Sequence, residues 1–142
     1  MSREMSSPIG LRPSHSGEDT TIERFHSSLP PDTAALAGLR RSLSLWLEAA
    51  DVSDPPRGDV VLATHEVAAN AIEHAGSASP IEVRARLVEG TITVEISDRG
   101  RWAPRVTDIE RGRGLPLIAA LVSKLEVRTD QRGTVVRLVQ HA

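Results

Sequence analysis

The sequence has no cysteine and no tyrosine, one phenylalanine, two tryptophans and a single lysine, Lys124. Without cysteine there are no disulfides, no thiolate metal centres and no cysteine nucleophile. So few aromatic rings leave the core to Leu, Val, Ile and Ala. No apolar run approaches the roughly 18 residues that a membrane span requires. The N-terminus carries Arg3 and Glu4, then Ser, Pro and Gly, where a secretory signal would place an apolar segment. A net charge of -2 and a pI near 6.2 offer no electrostatic reason to expect nucleic acid or an anionic membrane as partner. The expected location is cytoplasmic.

What is present is ordinary in bulk and organised in detail. The 142 residues, 39% hydrophobic and 25% charged, suit one soluble domain with one core. Residues 1–19 hold five Ser, two Pro and two Gly with little to bury, and read as a disordered tail before a domain at 20–142. Thr20 to Leu29 reads as a first strand carrying Ile22 and Phe25. Pro30-Pro31-Asp32-Thr33 opens a helix, with Asp32 or Thr33 as N-cap and Leu36, Leu39, Leu43, Trp46, Leu47 and Ala50 on one face. Asp54 and Pro55 suit the start of a second helix, which runs to His74 and ends at Gly76. Ile81, Val83, Ala85 and Leu87 alternate, then Ile92, Val94 and Ile96, around a Glu89-Gly90 turn: a β-hairpin. After an Arg-rich loop, Leu115 to Ser123 is a short helix. A second hairpin turns at Asp130 to Gly133. The order β-α-α-β-β-α-β-β predicts a two-layer α+β sandwich, a mixed sheet with helices on one face.

Three places could carry chemistry. On the second helix, Asp59, Glu66, Asn70, Glu73 and His74 share a stripe, at about 100° per residue. Such a stripe is either a solvated face or, through Glu66 and Asn70 one turn apart, a pair of hard oxygen donors for Mg²⁺ or a base beside a metal. His65-Glu66 is not a zinc-protease motif, because position 69 is Ala69. Nor does a dimerisation helix precede His65, as a phosphoaccepting histidine would need, so it reads as a partly buried structural histidine. Asp98-Arg99-Gly100, closing an apolar strand, is either a common turn or a carboxylate placed to accept from an exocyclic amine. Arg111-Gly112-Arg113-Gly114-Leu115 opens a helix whose free N–H groups form an anion site, or else is a flexible loop. It matches neither the Rossmann fingerprint nor a P-loop. With one lysine in the chain, phosphate charge would fall to backbone N–H groups, Mg²⁺ and the arginines of this loop.

Taken together these segments are far more specific. Glu66-Val67-Ala68-Ala69-Asn70-Ala71-Ile72-Glu73-His74 resembles the N box of the GHKL (Bergerat-fold) ATPases, which include gyrase, MutL and the histidine kinases. Asp98-Arg99-Gly100 resembles their G1 motif, Gly112-Arg113-Gly114-Leu115 their G2 motif, and Gly133-Thr134 the closing strand. The likeness covers about Thr20 to Val139 and is greatest to the bacterial anti-sigma-factor serine/threonine-protein kinases, with their histidine kinase-like ATPase domain. It departs from the pattern at Trp102, where a second G1 glycine is usual, and in the short lid from Arg101 to Arg111.

The resemblance implies a set of roles. Asn70 would ligate Mg²⁺ bridging the ATP phosphates, and Glu66 would act as general base or orient the nucleophile. Asp98 would accept the adenine amino group with support from Thr134. Gly100, Arg111, Gly112, Arg113, Gly114 and Leu115 would line the nucleotide. The implied activity is ATP-dependent phosphorylation of a serine on an anti-anti-sigma factor, with sequestration of a sigma factor and a homodimer as assembly. Two alternatives stand beside it. One is a module that binds or has lost nucleotide and acts only by sequestration, which Trp102 motivates. The other is a detached histidine-kinase catalytic domain.

Overall fold

The computed structural model describes residues 21–74, 78–100 and 115–142. The tail at 1–19, Gly76 and the lid with its arginines and Gly112 to Gly114 lie outside the described residues. The chain forms β1 (Ile22–Leu29), a 3₁₀ turn (Thr33–Ala35), α1 (Leu36–Ala49), α2 (Pro56–His74), β2 (Ile81–Val88), β3 (Thr91–Asp98), α3 (Leu115–Leu121), β4 (Lys124–Asp130) and β5 (Gly133–His141). This is the expected order of elements.

Local chemistry accounts for the boundaries. Asp32 caps the first turn, its Oδ1 accepting from Ala34 N at 2.9 Å. Asp54 does the same for α2, its Oδ1 accepting from Gly58 N at 2.9 Å. The β2–β3 turn places Glu89 at φ 49° and Gly90 at φ 78°. Positive φ at both central positions matches the right-handed twist of the flanking strands, which is why glycine stands there.

Leu36, Leu39, Leu43 and Leu47 of α1 are buried at helical spacing. Cutting any of the last three to Ala would cost about 2–5 kcal/mol. α2 buries a wider arc of small residues, namely Val60, Ala63, Thr64, Val67, Ala68 and Ala71. Their size lets α2 pack closely against α1 and against the sheet together. Opposite them, Ile81, Val83 and Ala85 of β2, Ile92, Val94 and Ile96 of β3, and Val136 and Leu138 of β5 complete the core. Phe25 of β1 meets Trp46 of α1 with ring centroids 5.6 Å apart. Ile22, three residues earlier, is exposed on the opposite face, so the two apolar residues of β1 do not share a side.

The sheet order is β1-β2-β3-β5-β4. The two-layer sandwich with helices on one face is as expected, but among the described residues the four strand pairs are all antiparallel, so the sheet they form is not mixed. Two helices between β1 and β2 return the chain to the end where β1 finished, so β2 runs back along it. β3 and β4 do run parallel, as one intervening helix dictates, but β5 inserts between them and pairs with both.

Candidate functional site

One end of the sheet brings two buried polar side chains onto the largely apolar, helix-facing side. The register sets Leu29 opposite Ile81, Asp98 opposite Thr134, and Thr134 opposite Thr129. Strand alternation then turns Asp98 to the same side as Val94 and Ile96, and Thr134 to the same side as Val136 and Leu138. Asp98 is 8% exposed and Thr134 1%. Burying a carboxylate and a hydroxyl in this way is costly unless each is hydrogen-bonded, and here both are.

Asp98 Oδ1 accepts from Gly100 N at 2.6 Å. Thr134 Oγ1 donates to Gly100 O at 2.9 Å, and Thr129 Oγ1 lies 3.3 Å from Thr134 Oγ1. Gly100 is thus held on both sides, its N–H by the strand it follows and its carbonyl by a strand 34 residues later. Gly133 makes the knot possible. It sits at φ 138°, and a Cβ there would fall 1.9 Å from Asp98 O and 2.7 Å from Arg99 Cα. No side chain fits so close to another backbone. The family resemblance marked Gly133-Thr134 as the closing-strand motif but gave no hint that Gly133 abuts Asp98.

α2 and α3 approach this same end. The chain leaves α2 at His74 and enters β2 at Ile81, so the last turns of α2, with Asn70, lie toward the row that contains Ile81 and Asp98. Glu66 and Asn70 are half-buried, unlike Glu73 and His74 beyond them, which are exposed. Neither the Glu66 nor the Asn70 side chain forms a hydrogen bond or ion pair with any described residue. The stripe seen in sequence is therefore not a uniformly solvated face. α3 is tied at its C-terminal end to the far end of β5: Gln140 Nε2 donates to Leu121 O at 3.1 Å, and Ser123 N donates to Gln140 Oε1 at 2.9 Å. Its first residue, Leu115, accordingly starts on the side of the sheet where Asp98 lies. α3 also packs against α2, with Ile118 fully buried.

His65, in contrast, faces away from this group of residues. It is half-buried, and its Nδ1 accepts from Arg40 Nη1 at 2.9 Å, joining α2 to α1. Arg111, Gly112, Arg113 and Gly114 lie outside the described residues, as does Trp102. Among the described residues there is no group of three or more His, Asp or Glu that could hold a metal ion by itself. An amide and a carboxylate oxygen one helical turn apart, half-buried and unpartnered within the described chain, fit a different kind of site. There Mg²⁺ takes one or two protein ligands and completes its octahedron with phosphate oxygens and water.

Comparison with known proteins agrees with this architecture. The family profile described as Histidine kinase-like ATPase domain matches residues 29–140. A Mycobacterium tuberculosis structure of RsbU and RsbW domains superposes with a TM-score of 0.71 at 27% identity, covering 84% of this chain and 32% of that one. The chain therefore spans about a third of that protein's structure. The SiaB–SiaC complex of Pseudomonas aeruginosa gives a TM-score of 0.60 at 15% identity, over 81% of this chain and 88% of that one. The histidine kinase domain of a blue-light activated kinase from Erythrobacter litoralis gives 0.52 at 22% identity, over 79% and 61%. The last two show the shared fold alone. An α2 that carries Glu66 and Asn70, an Asp98–Gly100 strand end locked by Thr134, and a profile spanning nearly the whole described chain lead to one assignment: the chain belongs to the histidine kinase-like ATPase domain family of the GHKL superfamily.

Proposed function

We propose that this domain binds ATP with Mg²⁺ and transfers the γ-phosphoryl group to a serine of an anti-anti-sigma factor, and that it sequesters a sigma factor when not so engaged. The observation that supports the reading most is the convergence at one sheet end. The buried Asp98 carboxylate is fixed by Gly100 N, and the half-buried Glu66 and Asn70 approach the same end from α2.

In this reading the rigid knot of Asp98, Gly100, Gly133 and Thr134 is the adenine end. A carboxylate whose orientation is locked recognises an exocyclic amine without further ordering cost. Asn70 would hold the metal through its amide oxygen, and the metal would supply charge neutralisation for the phosphates. Glu66, one turn earlier, accepts the proton of the attacking serine hydroxyl or orients that hydroxyl. Phosphoryl transfer asks little covalent chemistry of the protein, so positioning and charge neutralisation are enough. Gly112, Gly114 and Leu115, leading into α3, supply backbone N–H groups to the phosphates, and Arg111 and Arg113 supply charge that the lone lysine cannot.

The test is transfer of labelled phosphate from Mg-ATP to the cognate anti-anti-sigma protein, read as phosphoserine. Glu66→Ala is expected to abolish transfer while ATP binding persists, and undiminished transfer would remove Glu66 from the mechanism. The sequestration-only reading is favoured by Trp102, which replaces a glycine of the nucleotide pocket. Calorimetry decides between them: no heat of binding with millimolar Mg-ADP leaves sequestration alone. Transfer to histidine would instead point to a detached histidine-kinase domain.

A further inference from the structure

The face of the sheet turned away from the helices is charged, and its charges are unevenly satisfied. In one row across the strands, Arg84, Glu95, Arg137 and Glu126 stand side by side, alternating in sign. Opposite charges on facing strands are favourable, and Arg137 Nε comes within 3.9 Å of Glu95. The neighbouring row breaks this rule. Arg24 of β1 sits directly opposite Arg86 of β2, an arrangement that repels. Arg84 stands on the same side, two residues from Arg86. The nearby carboxylates are shared with other groups: Glu82 accepts from His26 Nε2 at 2.7 Å and from Ser28 Oγ at 2.9 Å, with only a weaker attraction to Arg84, and Glu95 is approached by Arg137. Arg24, Arg84 and Arg86 form no ion pair with any described residue, and all three are exposed.

These arginines line one depression together with His26, Thr93 and Glu95. It crosses β1, β2 and β3, so it is about 10 Å wide, the width of a single extended or helical segment. We propose that this depression is a docking site for an acidic segment of a partner protein, with Arg24, Arg84 and Arg86 pairing its carboxylates. Planar guanidinium groups are the side chains best suited to grip carboxylates in pairs. Nucleic acid fits poorly. Among the described residues the face offers no Trp or Tyr on which bases could stack, Phe25 being engaged with Trp46 on the covered side, and Glu95 on the rim repels a continuous polyanion. The surface lies on the opposite side of the sheet from Asp98 and Thr134, so the inference goes beyond the nucleotide reading and does not depend on it.

The test uses the full chain and a fluorescein-labelled oligoglutamate peptide, read by fluorescence anisotropy at low salt. The peptide is expected to bind the wild-type protein, and the pair Arg84→Glu and Arg86→Glu to weaken it roughly tenfold or more. Arg24→Gln alone is expected to weaken it less. Arg128→Glu, on the same face near the far edge, should leave affinity unchanged. The thermal midpoint and Mg-nucleotide affinity of each variant report that the fold and the other site are intact. Absence of binding, or an equal loss with Arg128→Glu, overturns the proposal. So does oligothymidylate binding as tightly as oligoglutamate, which would make the face a general polyanion surface. Loss of self-association in the double variant, seen by sedimentation, also overturns it and makes the face a contact between copies.

Discussion

The two faces of the sheet handle polar groups in opposite ways. On the helix-covered face, β2, β3 and β5 are apolar except at their two ends: Asp98 and Thr134 at one, both buried and both hydrogen-bonded, and Gln140 at the other, bonded to α3. On the open face β2 and β3 are polar or charged at every position but Val88, β5 sets Arg137 between Val135 and Val139, and water supplies most of the solvation that burial removes on the other side. A buried carboxylate is therefore informative and an exposed one is not. On the open face the informative feature is the reverse, a cluster of like charges that form no ion pair with any described residue. The covered face points to a ligand that enters the fold at its edge, and the open face to one that rests upon it.

The comparison breaks most visibly at Gly133. Gly133→Ala would drive a methyl into the Asp98 carbonyl at a φ of 138°. The expected loss is about 3 kcal/mol or more, read as a shift of the urea midpoint, with nucleotide affinity lost in the same variant. A midpoint equal to wild type would mean that β5 does not approach β3 as described. Asn70→Ala is expected to lower Mg²⁺-dependent nucleotide affinity about tenfold or more while the melting temperature stays put, because the side chain is half-buried and has no partner among the described residues. Calorimetry with and without Mg²⁺ measures this, and affinity that ignores both the metal and the substitution removes Asn70 from the site.

Asp98→Ala should cost about 1–3 kcal/mol, since it strands Gly100 N in a buried turn. Denaturant unfolding measures that cost, and Asp98→Asn, which keeps an acceptor, should recover part of it. The smallest effect belongs to the open face. The hydrogen bonds from His26, and then Ser28, hold the Glu82 carboxyl below its usual 4.5. A carboxyl depressed in the folded state stabilises above the unfolded value, and that contribution fades as pH falls through the lowered one. The stability gap between wild type and Glu82→Gln should therefore be widest above pH 5 and close in stronger acid, and a gap that is flat with pH would contradict the pairing.

Much of this protein was legible before its structure. The capping aspartates Asp32 and Asp54, the Glu89-Gly90 turn and the leucine spacing of α1 are local signals, each set by residues within a turn or two of one another. The motif segments on α2, at Asp98 and at Gly133 could be named because each is itself a short local pattern. The sense of the sheet was not legible in the same way. A mixed sheet was expected from the order of elements; β3 and β4 do run parallel, but β5 inserts between them and the described neighbours are all antiparallel.

The amino-acid order by itself determined the elements, their polarity and the residue types available to a nucleotide and its metal, because helix caps, turns and periodicity act over a few residues. Only the tertiary structure decided which of those residues meet. The bond from Thr134 to Gly100, the fit of Gly133 against Asp98 and the facing of Arg24 by Arg86 all depend on strand register. Register is set by burial of a whole face across the sheet, and so cannot be read from any single stretch of chain.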